Sequence, residues 1–283
     1  MGGSFTLIEV AVDTIPPATI VFGRLAIGAC LLLLLALWNG VSFPKSPSRW
    51  GALLLQGILQ SALPFTLISW GQKYIDSGLA GLLNTTPPLF VFLIGFFLLR
   101  DRMAGARQII GILLGFAGVV VVMSPAALAG EGNSILGQLA ITGASFSYAV
   151  AAIYAKRFSD QPPVLTAACS MGFAASLMFP FSVWIDDPLT LSPTPSAIAA
   201  VIAIGIFSTA IAMAIYFRLV RTLGSLGVTT GSYMRAGFSV VLGILLLDEA
   251  LSSTLIVGLL MIFVGVAIVT GHLKLPFQKT IST

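Results

Sequence analysis

The sequence is short of everything a water-exposed surface needs. Only 8% of its 283 residues are charged, against roughly 25% in an ordinary soluble domain. So few charges exclude a large soluble globule. Histidine occurs once, at His272, which excludes a metal site built from several imidazoles. There are two cysteines, Cys30 and Cys169. Each sits in an apolar run without a CxxC partner, which argues against a disulfide framework or a zinc site. No basic stretch opens the chain, so no cleavable signal peptide is expected. No Walker A motif is present, so direct drive by ATP is excluded.

What the chain has instead is apolar length. Hydrophobic residues make up 57% of it, and its mean hydropathy is +1.03. A helix needs about 20 apolar residues to cross a bilayer. Bounded by charges and turn residues, the apolar runs lie at about 2–13, 17–38, 50–72, 78–99, 107–124, 136–155, 164–184, 197–217, 226–247 and 254–271. Alternating barrel-type patterning is absent, so these are read as helices. The first is too short to cross at 1.5 Å per residue. The sequence therefore predicts an all-α membrane protein of ten transmembrane helices, the first one truncated.

Orientation follows from the basic residues. Lys45, Arg49, Arg100, Arg102, Arg107, Lys156, Arg157, Arg218, Arg221, Lys274 and Lys279 all fall on one side of that scheme. The other side holds Lys73 with Asp13, Asp76, Glu131, Asp186, Asp187, Asp248 and Glu249. The basic side, and with it the C-terminus, is expected in the cytoplasm, and the protein in the inner (plasma) membrane.

The chain also resembles itself. Residues 57–101 align on 205–249: Gly57 meets Gly205 and Gly95 meets Gly243. Gly111 and Gly118 meet Gly258 and Gly265, and Pro16-Pro17 recurs as Pro162-Pro163. Each copy holds five runs. Five is odd, so the second copy enters the membrane from the opposite face. Two inverted five-helix repeats, 1–124 and 136–272, are expected around a central cavity, an arrangement suited to alternating access.

Helical geometry at 100° per residue nominates the cavity wall. Proline frees the carbonyl four residues back, so Pro87 and Pro88 release those of Leu83 and Asn84 at membrane depth, beside Thr85. One stripe on the third helix carries Gln56, Gln60, Leu63, Leu67 and Trp70. Ser145 and Tyr148 line up on the sixth helix, Tyr216 on the eighth, and Ser232 with Tyr233 on the ninth. Amides and hydroxyls of this kind bind polar groups, and aromatics cover an apolar side chain. The alternative for each is glue between helices. Arg235, at the edge of the ninth-helix stripe, suits a substrate carboxylate. Arg24 reads as structural. Glu9, near the outer end of the first run, is a candidate for proton coupling. Gly111, Gly115 and Gly118 share a face, as do Gly258 and Gly265, and read as packing seams.

The run Trp70-Gly71-Gln72-Lys73-Tyr74-Ile75-Asp76-Ser77-Gly78-Leu79-Ala80-Gly81-Leu82-Leu83-Asn84-Thr85-Thr86-Pro87-Pro88-Leu89-Phe90 resembles the fourth-helix signature of EamA-type exporters of the drug/metabolite transporter superfamily. Leu98-Leu99-Arg100-Asp101-Arg102 is similar to that family's Leu-Leu-Gly-Glu-Arg. Gly111-Ile112-Leu113-Leu114-Gly115-Phe116-Ala117-Gly118-Val119 resembles its fifth helix. The resemblance implies ten helices, cytoplasmic termini and efflux of small metabolites or drugs, with the aromatic amino-acid exporter branch nearest. It departs in two places. Met1 stands where the family has Trp, so the chain begins half-way along the opening helix, which points to a mis-assigned start or a trimmed chain, half a helix sufficing being the alternative. Arg235-Ala236 stand where the ninth helix often carries proline.

These readings converge on an exporter of small amphipathic metabolites, amino acids foremost. It would need no cofactor, no metal and no nucleic acid, and would act in the bilayer as a monomer, with a dimer possible. A multidrug carrier is the alternative within the superfamily. A nucleotide-sugar carrier would want more intramembrane cations than Arg24 and Arg235. An intramembrane enzyme is the alternative of another class. HExxH is absent, and the only adjacent Asp pair, Asp186-Asp187, falls in a connection.

Overall fold

The computed structural model describes residues 3–44, 46–97, 106–230, 241–242, 244–246 and 252–270. Among them there are helices and connections and no strands. Helix α1 is Gly3–Val12, ten residues long, or about 15 Å, and so half a span. Among the described residues, eight further helices are long and apolar enough to cross a membrane. They are α2 (Pro17–Trp38), α3 (Pro47–Gly71), α4 (Ser77–Phe97), α5 (Ala106–Leu128), α6 (Gly132–Phe158), α7 (Pro163–Asp186), α8 (Pro195–Thr230) and α9 (Ser253–Thr270). The run expected at 226–247 falls largely outside the described residues.

Local chemistry sets the ends. Helices α2, α3, α7 and α8 all open with proline in the first turn, where the missing N–H costs nothing and φ is already helical. Helix α2 closes on Gly40 at φ +59°. There Val41 N–H donates to Ala36 O and Gly40 N–H to Leu37 O, a left-handed cap that only glycine enters freely. Leucines and phenylalanines such as Leu34, Leu113, Phe179 and Phe207 are exposed around the outside, as lipid contact requires.

Lipid gives helices no hydrophobic reason to associate, so close packing and buried hydrogen bonds must hold the bundle. The tightest crossing joins α5 to α9. A Cβ on Gly111 would lie 2.7 Å from Gly265 O, and one on Gly118 2.9 Å from Gly258 O. Seven residues forward on one helix are seven back on the other, so α5 and α9 run antiparallel. Helix α2 crosses α7 in the same sense. Phe22 packs on Phe179 with ring centroids 5.3 Å apart, and a Cβ on Gly28 would lie 2.6 Å from Met171 Cε. At the end of that crossing Asp186 accepts Thr19 N–H at 2.6 Å and Thr19 Oγ1–H at 2.9 Å, capping α2 from the far helix.

Three helices carry π segments. A π segment spans Ile58–Ala62 in α3 and another Ile204–Ile211 in α8. They fall at matching places of the internal repeat, just after Gly57 and at Gly205. A third, Ser182–Asp186, ends α7. Helix α4 breaks into Ser77–Leu83 and Pro87–Phe97.

Two expectations need correction. The connection expected after residue 217 is not there: α8 continues through Arg218 and Arg221 to Thr230. No proline or glycine-rich turn interrupts it before Gly224, and charge marks where water begins rather than where a helix ends. The stripe read along α3 also fails half-way. Its π segment inserts one residue and turns everything after it by about 100°. Gln56 and Gln60 stay inside, but Leu63 and Trp70 are exposed, while Pro64, Phe65 and Ile68 take the inner face.

Candidate functional site

The break in α4 lies among the buried residues and is held by hydroxyls. Pro87 and Pro88 cannot supply N–H groups, so the carbonyls a turn earlier need other donors. Leu82 O receives Thr85 Oγ1–H at 2.7 Å, and Leu83 O receives Thr86 Oγ1–H at 2.9 Å. Across from them, Ser145 Oγ on α6 lies 3.2 Å from both Leu83 O and Asn84 Oδ1. Asn84, Thr85, Pro88 and Ser145 are all buried. The Leu83 carbonyl, which Pro87 leaves without a backbone donor, is thus taken up by Thr86 and by Ser145 of α6.

Beside this break is a small cavity. Asn84 forms one side and Tyr148 of α6 another; α1 brings Ser4, Phe5 and Ile8. Phe65 and Ile68 come from α3 just past its π segment, Ser208 from the π segment of α8, and Arg24 from α2. The volume is about 10 Å³, room for roughly one water. Six helices meet there, three of them near a π turn or a break. Such irregular backbone at membrane depth is tolerated only inside protein or against a cavity.

Arg24 is the charge in this wall. It is 3% exposed. Its guanidinium carbon lies 3.7 Å above the centre of the Phe65 ring, and Nε–H donates to Thr209 Oγ1 at 3.3 Å. Gly28, one turn along, lets Thr209 come this close: a Cβ there would stand 2.9 Å from Thr209 Cγ2. The structural role expected for Arg24 is thus accompanied by a place in the cavity wall.

The other nominated residues divide. Gln56 and Gln60 are buried on α3. Gln56 Nε2–H donates to Ala151 O at 3.4 Å, and the Oε1 atoms of both have no partner among the described residues. Ser147 donates to Leu59 O at 2.7 Å, satisfying a carbonyl of the π segment. Tyr216 is half-buried on α8 and meets Phe217 edge-on at 5.2 Å. Trp70 is not brought to the cavity; it stands on the outer surface against Tyr74. Glu9, one residue past Ile8, accepts Gln72 Nε2–H at 3.2 Å, and the same amide group reaches Phe5 O at 2.9 Å. Ser232, Tyr233 and Arg235 lie outside the described residues. Phe65, Ile68 and Ser208 also line the cavity, and no periodicity in the sequence marks them, since they follow or lie within the π segments of α3 and α8.

No cluster of three or more His, Cys, Asp or Glu side chains suited to a metal occurs among the described residues. The one salt bridge among them is peripheral: Arg49 at the start of α3 pairs bidentately with Asp160 between α6 and α7, at 2.6 and 3.0 Å. A hydrogen bond and the charge of Arg49 hold the Asp160 carboxyl below the usual carboxylate range.

Comparison with known proteins places this architecture. A crystal structure with 21% sequence identity superposes over 95% of each chain with a TM-score of 0.66, which shows a shared fold. The uncharacterized inner membrane transporter YedA of Escherichia coli (strain K12) is 26% identical over 287 aligned positions, covering 99% of this chain and 90% of YedA. The uncharacterized transporter YvbV of Bacillus subtilis (strain 168) is 24% identical over 276 positions, 96% of this chain and 88% of YvbV. The model of the EamA-like transporter family matches residues 1–124 and again 135–271. The chain is a multi-pass membrane protein that belongs to the EamA-like transporter family.

Proposed function

We propose that this transporter exports small amphipathic metabolites, amino acids and the aromatic ones foremost, across the inner membrane by alternating access between two inverted five-helix halves. One observation carries the reading: the buried cavity draws its wall from both halves, on helices interrupted beside it. Ser4, Phe5, Ile8, Arg24, Phe65, Ile68 and Asn84 come from the first half, Tyr148 and Ser208 from the second. Its hydroxyls, amide and rings match a solute with a polar end and an apolar side chain.

The packing supports inversion. Gly111 and Gly258 are repeat equivalents, as are Gly118 and Gly265. In the structure Gly111 meets Gly265 and Gly118 meets Gly258. Such reciprocal contact between antiparallel equivalents is what a two-fold axis in the membrane plane produces. On this reading the present cavity is a closed state, and an amino acid enters only when the halves rock apart. The break in α4 and the π turns of α3 and α8 are where the helices can bend. Gln56, Gln60, Thr85, Pro88, Ser145 and Tyr216, with Ser232, Tyr233 and Arg235, belong to the wall that widens. Glu9 is the proposed proton-coupling group, and the C-terminus is proposed to lie in the cytoplasm.

The test is a flux screen in proteoliposomes across amino acids and other small metabolites, with and without a pH gradient. Saturable, protein-dependent flux of an amphipathic solute is expected. Turnover of a solute without flux, or no flux across the panel, overturns the proposal.

A further inference from the structure

We infer that Arg24 binds the carboxylate of the transported solute, and so selects carboxylate-bearing amphipathic molecules over their neutral or cationic counterparts. This rests on the transport reading and names a residue and a substrate chemistry within it.

A buried guanidinium is always charged and carries five N–H donors. Leaving such a group without partners in a low-dielectric interior is costly. Here the Nε–H is satisfied by Thr209 and the flat face by Phe65. The two terminal amines make no hydrogen bond among the described residues, and no carboxylate there pairs with Arg24. The side chain is nevertheless 3% exposed and lines the cavity. Its terminal fork is therefore the open end of an otherwise held group. Ring and hydroxyl fix the plane, and a planar fork in a fixed plane matches a carboxylate bidentately.

The surroundings suit the rest of such a molecule. Asn84 and Tyr148 line the same small space and bring amide and phenol groups of the kind that bind an ammonium, while Phe5, Ile8 and Ile68 supply apolar wall. The arrangement also spans the halves. Arg24 comes from the first half and Thr209 from the π segment of the second. A solute on the fork therefore senses both.

The experiment compares acids with their amides in proteoliposomes of the full chain, using L-phenylalanine with L-phenylalaninamide and L-leucine with L-leucinamide. Competition against a solute the protein moves is measured alongside flux. Wild type is expected to prefer each acid by about tenfold or more, because a site built for a charged fork rejects a partner that cannot fill it. Arg24→Gln is expected to abolish that preference, bringing the acid-to-amide ratio to about one. Arg24→Lys keeps the charge without the fork and should fall between them. Thr209→Val, which frees the Nε–H, serves where Arg24→Gln fails to insert, and should lower the acid-to-amide ratio about threefold. No preference for acids in wild type overturns the inference, even if the flux screen finds other substrates. An unchanged ratio in well-inserted variants overturns it equally. Absence of all flux instead overturns the transport reading beneath it.

Discussion

The carbonyl of Gly111 stands 2.6 Å from where a Cβ on Gly265 would be, and the carbonyl of Gly265 stands 2.7 Å from a Cβ on Gly111. The two backbones touch, each glycine being the only reason the other fits. In lipid this contact has no hydrophobic drive behind it, so its stability comes from packing alone.

Enlarging that seam should loosen the bundle. Gly265→Leu is expected to destabilise by about 1–3 kcal/mol, since backbone rather than a flexible side chain must give way. A thermal melt of the detergent-solubilised protein reads this directly. Gly172→Ala is the control: an added Cβ there meets nothing within 4 Å, so its melting temperature should hold or rise slightly.

The hydroxyl-held break in α4 should matter to transport more than to folding. Ser145→Ala removes the donor at 3.2 Å from Leu83 O and Asn84 Oδ1. Flux is expected to fall about tenfold, with a melting shift worth about 1 kcal/mol. Asn84→Ala should lower flux at least as far. Normal flux in both would remove the break from the transport path.

Coupling makes a separate prediction. Glu9→Gln keeps the shape next to Gln72 but cannot exchange a proton. Flux driven by a pH gradient should be lost, while solute exchange without a gradient continues. Loss of both, in protein that inserts normally, would make Glu9 a structural residue.

The Arg49–Asp160 pair gives a pH-dependent signature on the side taken as cytoplasmic. The Asp160 carboxyl is held below its ordinary value, chiefly by the hydrogen bond from Arg49. A carboxyl depressed in the folded state adds stability above its unfolded pKa of about 3.9. That contribution disappears as pH falls through the folded value. Asp160→Asn should therefore melt slightly lower than wild type at pH 7, and the two should converge in strong acid. Both partners are largely exposed, so the difference should be small and should shrink in high salt.

Much of this architecture is legible in the sequence because lipid imposes simple rules. Apolar runs mark helices α2 to α9, prolines at 17, 47, 163 and 195 mark their starts, and Pro87-Pro88 marks the break in α4. The glycines at 111, 118, 258 and 265 mark a seam, though not that they meet one another. The π turns of α3 and α8 are illegible. A π segment depends on which neighbour supplies a spare donor, as Ser147 does for Leu59 O, and no residue periodicity records that. For this one reason the spacing along α3 points Trp70 inward and gives no sign that Phe65, Ile68 and Ser208 line the cavity. Arg24 carries no sequence signal of its own beyond being an intramembrane charge. Its place in the cavity follows from Gly28 admitting Thr209.

Alternating access requires that both faces of the membrane reach one central cavity by turns. Cysteine accessibility measures this most directly. With Cys30 and Cys169 replaced by serine, Ser208→Cys places a single thiol in the cavity wall. In oriented vesicles a membrane-impermeant thiol reagent should modify it when added from either side, and transported solute should slow both reactions. A thiol reached from neither face, or from one face alone under every condition, would contradict the account.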